Sequence, residues 1–252
     1  MNSKKTAICT LCIGDYAEKF AQFSFPAFKK YADRMGADFI VFDEMKVNYM
    51  DTKHINPVKF EKYQVYDLLD KKGYDRVAFF DVDILITPHA PNIFNEIPYK
   101  AMGGVFEDIG FNKKDRRKII VECQKVLGDV NWNKGFLNSG VFVVSKIHKE
   151  VFKMIWEYGV YDDSEHKYEQ TNTQWYMRKF CLDHGDPEVK IIELSHKWNF
   201  TGPMRVFHGP FRKRAYVIHY AGKGLFHGKS RLKQMENDYH HFYRDMPEKS
   251  KS

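Results

Sequence analysis

The sequence predicts an α/β fold, with a mainly parallel, mixed sheet flanked by helices. Short β-branched and aromatic runs alternate with longer stretches of helical spacing, strand, helix, strand, helix, strand, through the first eighty residues. That order calls for a parallel sheet covered by helices. At 252 residues the chain is long enough to bury a sizeable core. No internal repeat, low-complexity tract or linker divides it, so one domain is expected over 1–252.

The first strand is expected over 6–13 (TAICTLCI). A helix follows over 17–35, with Phe20, Phe23, Phe28, Tyr31 and Met35 on its buried face and Gly36 as its stop. Pro26 argues for a break or a late start in that helix. DFIVF (38–42) is the second strand, and Pro57 opens another helix in which Val58, Tyr63, Tyr66 and Leu69 recur until Gly73. The third strand, 76–80, delivers the run FFDVDILI. Beyond it the pattern loosens. Strands are expected at 101–106, 140–145, 189–194 and 216–219, the second preceded by a turn at FLNS. Helices are expected at 114–127, 148–158, 169–180 and 230–243.

No run approaches the roughly 18 apolar residues of a membrane span, and the start MNSKKTAICT lacks the apolar length of a signal peptide. A soluble, cytoplasmic protein is expected. Cys9 and Cys12 read as C-x-x-C, but residues three apart on a strand face opposite sides, which disfavours a shared metal or disulfide and favours buried structural thiols. The formal charge of +7 favours an anionic partner. Its lysines and arginines are dispersed apart from KKDRRK (113–118) and FRKR (211–214), and no DNA- or RNA-reading motif accompanies them, so nucleic acid is not expected. KKDRRK reads as a solvated helix face.

FFDVDILI poses a chemical question. Strand geometry turns Asp81 and Asp83 to one side and Phe80, Val82 and Ile84 to the other. Two like charges on one face need a proton, surrounding basic groups or a cation between them. An isolated D-x-D is common by chance, and capping of backbone amides at a strand end explains it equally. Flanking apolar runs shift the balance towards a hard divalent cation. Ligands of parallel sheets gather at the carboxyl ends of the strands, where both aspartates sit. A phosphoryl-transfer aspartate is disfavoured, because Leu85 stands where such motifs have threonine or valine.

FFDVDILI, LNSGVFVV (137–144), EQTNTQW (169–175), HKWNF (196–200) and VIHYAGKG (217–224) together resemble the GT-A fold glycosyltransferases, and are similar in particular to the glycogenin and lipopolysaccharide galactosyltransferase group. The resemblance runs from about residue 6 to 224. It implies a single GT-A (Rossmann-like) domain with a nucleotide-binding part over about 1–110 and an acceptor-side part over about 111–252. It further implies transfer of a sugar from a nucleotide diphosphate donor, a UDP-sugar, to an acceptor hydroxyl, with Mn²⁺ or Mg²⁺ as cofactor. The acceptor stays open among glycan, lipid-linked and protein classes, and the resemblance leans towards retention of anomeric configuration.

Carried over residue by residue, the resemblance implies that Asp81, Asp83 and His219 hold the metal, with Asp81 and Val82 also on the donor side. Thr10, Asp15 and Tyr16 match the base pocket, although Gly14 and Asp15 would equally begin a helix. Lys59 matches a helix-borne basic residue, although a solvated lysine is the favoured reading, and Asn138 and Ser139 match a turn that contacts the donor sugar, with an ordinary tight turn as the alternative. Glu169 and Gln170 resemble the catalytic acid and amide pair near the reacting carbon. Trp198 and Asn199 match acceptor-side positions, although a core tryptophan is the favoured reading of Trp198. Gly222 and Lys223 are also assigned to the donor side, but the sequence departs from the family at the diphosphate clamp: HYAGKGLFHGK supplies Lys223 too early and Lys229 too late. Glu169 also stands where aspartate is commoner. A nucleotidyltransferase and a non-catalytic sugar-nucleotide or nucleic-acid binder are the alternatives.

Overall fold

A computed structural model describes residues 4–49, 51–222, 224–225 and 229–244. β1 (Thr6–Leu11) leads into α1 (Asp15–Met35), and β2 (Asp38–Phe42) returns parallel to β1. Pro26 lies inside α1 and does not end it. The cost of an interior proline, about 3 kcal/mol, is offset by the buried face that carries Phe20, Phe28 and Tyr31. Gly36 adopts the left-handed conformation at φ 64° and its amide closes the last turn on Ala32 and Asp33, as a helix stop requires.

The stretch from Pro57 differs from expectation. Residues Pro57–Gln64 wind as a 3₁₀ helix, and only Val65–Asp70 form the α-helix α2. A repeat of three residues per turn stacks Lys59 above Lys62, so both face the same cavity. β3 (Arg76–Phe80) is buried along its whole length. Its alternate side chains feed two apolar layers: Phe79 stacks on Phe142 at 5.0 Å, while Phe80 meets Phe28 at 5.8 Å on the opposite face.

FFDVDILI is not one strand. The chain leaves the main sheet after Phe80, turns through Asp81 to Asp83, and enters β4 (Ile84–Ile86) in a second sheet. Then follow α3 (Ile93–Glu96), β5 (Met102–Phe106), α4 (Lys113–Leu127), β6 (Leu137–Ser145), α5 (Met154–Tyr158), α6 (Glu169–His184), β7 (Ile191–Glu193), α7 (Gly202–His208), β8 (Val217–His219) and α8 (Arg231–Tyr243). LNS belongs to β6 and is buried, so the expected turn there is strand. Most of the stretch expected as a helix over 148–158 is 3₁₀, with α5 covering only its last five residues. α3, α7 and the pairing of β4 were not expected.

The main sheet runs β2-β1-β3-β6-β5-β7. β2, β1 and β3 are parallel, β6 is antiparallel to both neighbours, and β7 is parallel to β5. The second sheet is the antiparallel pair β4-β8. Cys9 is buried in β1, Cys12 lies just beyond it, and both thiols are free. No described helix is long and apolar enough to cross a membrane.

His148 follows β6 as a buried connector. Its Nδ1 accepts the Ser145 amide at 2.9 Å, and Nε2 donates to the Lys100 carbonyl at 3.1 Å. Burial pushes its pKa down from the ordinary 6.5 to about 4. The unfolded chain therefore binds a proton near pH 6 that the folded chain refuses. Stability is full above pH 6.5 and falls as the pH drops through this window, by about 3 kcal/mol. Thermal melts between pH 7 and pH 4 should show that decline, and His148→Asn should flatten it. An unchanged slope in the variant would contradict the assignment.

Candidate active site

Two ladder registers assemble the site. In the main sheet the Asp81 amide donates to the Gly140 carbonyl at 2.8 Å, which sets β6 beside the first aspartate. In the small sheet Ile84 pairs with His219, and the Tyr220 amide donates to the Asp83 carbonyl at 3.0 Å. His219 thus arrives next to the second aspartate from 136 residues away. One ligand-type atom from each of Asp81, Asp83 and His219 lies within 4.8 Å of the others.

The carboxylates are shared among cations. Asp83 points Oδ1 at His219 Nε2, 3.2 Å away, and accepts from Arg231 Nη1 on Oδ2 at 3.1 Å. Asp81 lies 3.9 Å from His219 Nε2 through Oδ2 and 3.8 Å from Lys62 Nζ through Oδ1. Burial pushes the Asp81 carboxyl up against the pull of Lys62 and His219. Burial works against a charged His219, but Asp83 and Asp81 prevail and raise its pKa. Lys62 is itself buried and 2.8 Å from Glu169 Oε1. Its burial is outweighed by Glu169 and Asp81, which hold the ammonium pKa up, and Lys62 with Lys59 holds the buried Glu169 carboxyl down.

A second polar chain orients the site from behind. Glu107, at the end of β5, is buried and accepts from Arg116 at 2.7 Å and from Gln170 Nε2 at 3.1 Å on Oε1, and from Asn138 Nδ2 at 2.8 Å on Oε2. Asn138 Oδ1 then accepts from Asn199 Nδ2 at 2.9 Å, and Asn199 Oδ1 accepts from His219 Nδ1 at 2.8 Å. A carboxylate only accepts, so Glu107 dictates the direction of every bond along this chain. The proton is fixed on His219 Nδ1, Nε2 is presented to the aspartates, and the Gln170 carbonyl oxygen is directed away from Glu107.

These residues fit a hard divalent cation. Two carboxylate oxygens converge with an imidazole nitrogen whose other nitrogen is tied to an amide oxygen, the usual support of a metal-binding histidine. Gly140 supplies independent support, because a Cβ there would lie 2.4 Å from His219 Cε1 and 2.8 Å from Asp81 Oδ2. The glycine serves this close approach, not the turn that the sequence suggested.

The trio opens on a cavity of about 770 Å³. Of the expected donor-side residues, Tyr16, Lys59, Asn138, Ser139, Glu169, Gln170 and Gly222 line it. Thr10 is buried in β1, its hydroxyl without a hydrogen-bond partner among the described residues, and Asp15 sits exposed in the first turn of α1. Both lie off the cavity lining, and so does the half-buried Val82. Lys223 falls outside the described residues. Trp198 is wholly buried in the core, and Asn199 stands behind His219, so neither faces an acceptor. Arg116 corrects the solvated reading of KKDRRK: it is mostly buried, paired with Glu107 and set 4.7 Å over the Tyr168 ring. Lys62, Glu107 and Arg231 were not foreseen; only the spacing of Lys59 and Lys62, three apart after Pro57, hinted at any of them.

No family model matches the chain, and no curated protein matches it. Solved structures do. A glycosyltransferase involved in glycosylation of the major capsid of PBCV-1 superposes with a TM-score of 0.59 at 14% identity, over 92% of this chain and 98% of that one. The galactosyltransferase LgtC, solved with donor and acceptor sugar analogs, gives 0.59 at 13% identity, over 96% of this chain and 98% of its own. The bifunctional glycosyltransferase WbbM gives 0.60 at 14% identity, over 98% of this chain but only 51% of that one. At such identities the likeness is one of fold. The chain has the GT-A fold of these enzymes, as its motifs led us to expect.

Lys62 is the counter-charge that the buried Glu169 and the half-buried Asp81 share. Lys62→Met should lower the unfolding free energy by about 3–5 kcal/mol, measured by urea denaturation, and adding Glu169→Gln should recover part of that loss. A single variant as stable as the parent would remove Lys62 from this role.

Proposed function

We propose that this chain, over its whole length, is a metal-dependent glycosyltransferase that moves a sugar from a nucleotide diphosphate donor, a UDP-sugar, to an acceptor hydroxyl. The observation that carries the proposal is the convergence of Asp81, Asp83 and His219 on the rim of a large cavity whose wall holds Glu169 and Gln170, within a glycosyltransferase fold. Asp81, Asp83 and His219 would hold Mn²⁺ or Mg²⁺, the mixed nitrogen and oxygen set favouring Mn²⁺. When bound, that ion supplies positive charge to the diphosphate of the donor and to the leaving group.

The protein's own groups complete the chemistry. Arg231, Lys59 and Lys62 line the cavity and give it positive charge on the side where a diphosphate meets the aspartates. Arg231 supplies a cation near the clamp position for which the sequence offered only Lys223 and Lys229. Tyr16 is exposed at the cavity edge, its ring packed against Phe20 at 5.2 Å with the Arg231 guanidinium 5.4 Å away, and its exposed surface would stack on a base. Asn138 and Ser139 offer hydrogen bonds to donor hydroxyls. Gln170 gives its amide hydrogens to Glu107, which leaves its carbonyl oxygen to face positive charge developing on the sugar ring. Glu169, kept ionised by Lys62 and Lys59, adds negative charge to the same wall. Holding donor and acceptor together in this preorganised setting lowers the barrier through orientation as well as charge.

A thermal-shift screen of nucleotide sugars with and without Mn²⁺ tests the reading. A true donor at a hundredfold excess over its Kd adds about 2.7 kcal/mol of stability, and only with the metal present. Asp83→Ala should abolish both this stabilisation and turnover of the matching UDP-sugar; normal activity in the variant contradicts the proposal. Asn199→Ala should weaken Mn²⁺ binding roughly 10- to 100-fold in calorimetry while far-UV circular dichroism stays unchanged. Undiminished affinity would show that the His219 ring needs no such support.

A further inference from the structure

From the outer edge of the cavity a strip of large apolar side chains runs across the surface. Phe111, Val206, Phe207 and Phe211 are 65%, 66%, 59% and 53% exposed. Phe111 and Val206 stand at the cavity wall itself. Phe207 packs over Gly110 so closely that a Cβ there would lie 3.2 Å from its ring, which makes Phe207 continuous with Phe111. His208 stacks flat on His196 at 3.8 Å, and His196 borders the same small hollow as Phe211 and Arg214. The four apolar residues therefore form one patch spread over α7 and two short 3₁₀ turns, Gly110–Asn112 and Arg212–Arg214.

The charge around this patch is predominantly positive, with Asp115 and Glu193 as exposed acids at its border. Between Glu193 and Glu236 the chain carries nine lysines and arginines and no aspartate or glutamate. Lys213 and Arg214 are exposed beside Phe211, and the Arg214 guanidinium lies 5.3 Å over that ring. Lys113 and Lys114 are exposed next to Phe111. Apolar tips projecting among an excess of cations match the two forces of an interfacial anchor: insertion of aromatic and aliphatic side chains, and attraction of lysine and arginine to anionic headgroups. A soluble surface gains nothing from four such residues exposed together.

We propose that this patch seats the protein on an anionic membrane surface, with the cavity mouth turned to the bilayer, so that the acceptor is presented from the lipid side. The docking surface stands without the assignment of sugar transfer; only the acceptor's origin rests on it. The charge complementarity argues for phospholipid over a second copy of this chain, which would bring the same positive charge against itself.

The test is co-sedimentation of the full chain with phosphatidylcholine vesicles and with vesicles that also contain phosphatidylglycerol, without donor or metal. A failed transferase assay therefore leaves this result readable. Binding to the anionic vesicles alone, weakened by salt, is expected. Lys213→Glu with Arg214→Glu should weaken it roughly fivefold for each cation lost. Phe207→Ser with Phe211→Ser, whose side chains lie off the cavity lining, should weaken it severalfold while the circular dichroism stays that of the parent. Equal partitioning into both vesicle types, or no loss in either pair of variants, would overturn the proposal. So would a concentration-dependent dimer in sedimentation velocity that the phenylalanine variants abolish, or oligonucleotide binding tighter than vesicle binding and indifferent to those variants.

Discussion

Two carboxylates can share a rim only if each has positive charge within reach, and the site is organised around meeting that condition. Asp83 divides its oxygens between His219 and Arg231, and Asp81 divides its own between His219 and Lys62. One oxygen of each acid faces the imidazole and the other faces a lysine or arginine. Such an arrangement sets a cation or imidazole against each carboxylate oxygen and so offsets the repulsion between the two acids. Lys62 extends the pattern inward, because it also neutralises Glu169 on the cavity wall. The electrostatics of the rim and of the wall are consequently one system.

Glu107 plays the complementary part from behind. A neutral group at that position could accept or donate, and the amides of Asn138, Asn199 and Gln170 could each turn over. A carboxylate held by Arg116 removes that freedom. Side-chain dipoles on opposite sides of the cavity, at His219 and at Gln170, then have orientations set before any ligand arrives. Preorganisation of this kind avoids reorganisation when charge moves.

Much of this was legible in the residues, for reasons that can be named. Alternating strand and helix patterns located β1, β2, β3, α1, α4 and α8 because each buries a regular face. The period-two reading of Asp81 and Asp83 gave the right juxtaposition although the strand ends at Phe80 and the pair sits in a turn. His219, Glu169 and Gln170 came from motif resemblance, since no local pattern joins them to the aspartates. Lys62 stayed hidden because the helix after Pro57 was read with the α period. Glu107 is one of two adjacent acids after a short strand, and Arg116 is one charge in a basic run, so only tertiary pairing distinguishes them. Arg231 lies on the last helix, brought to Asp83 from 148 residues away. Small residues gave a similar lesson: Gly140 suited a turn by sequence, and its real reason, the ring of His219 at its back, exists only once β6 and β8 meet.

The join between the two sheets carries a further implication. Asp81 hangs from the end of the large sheet, whereas His219 rides on the small one, paired opposite Ile84. Were the short β4-β8 ladder to slip by a single position, the imidazole would swing to the far side and Ile218 or Tyr220 would take its place. The convergence of Asp81, Asp83 and His219 is thus held by the alignment of three residues on each of two brief strands, and loosening that small clasp would dismantle the trio while the bulk of the protein stayed folded.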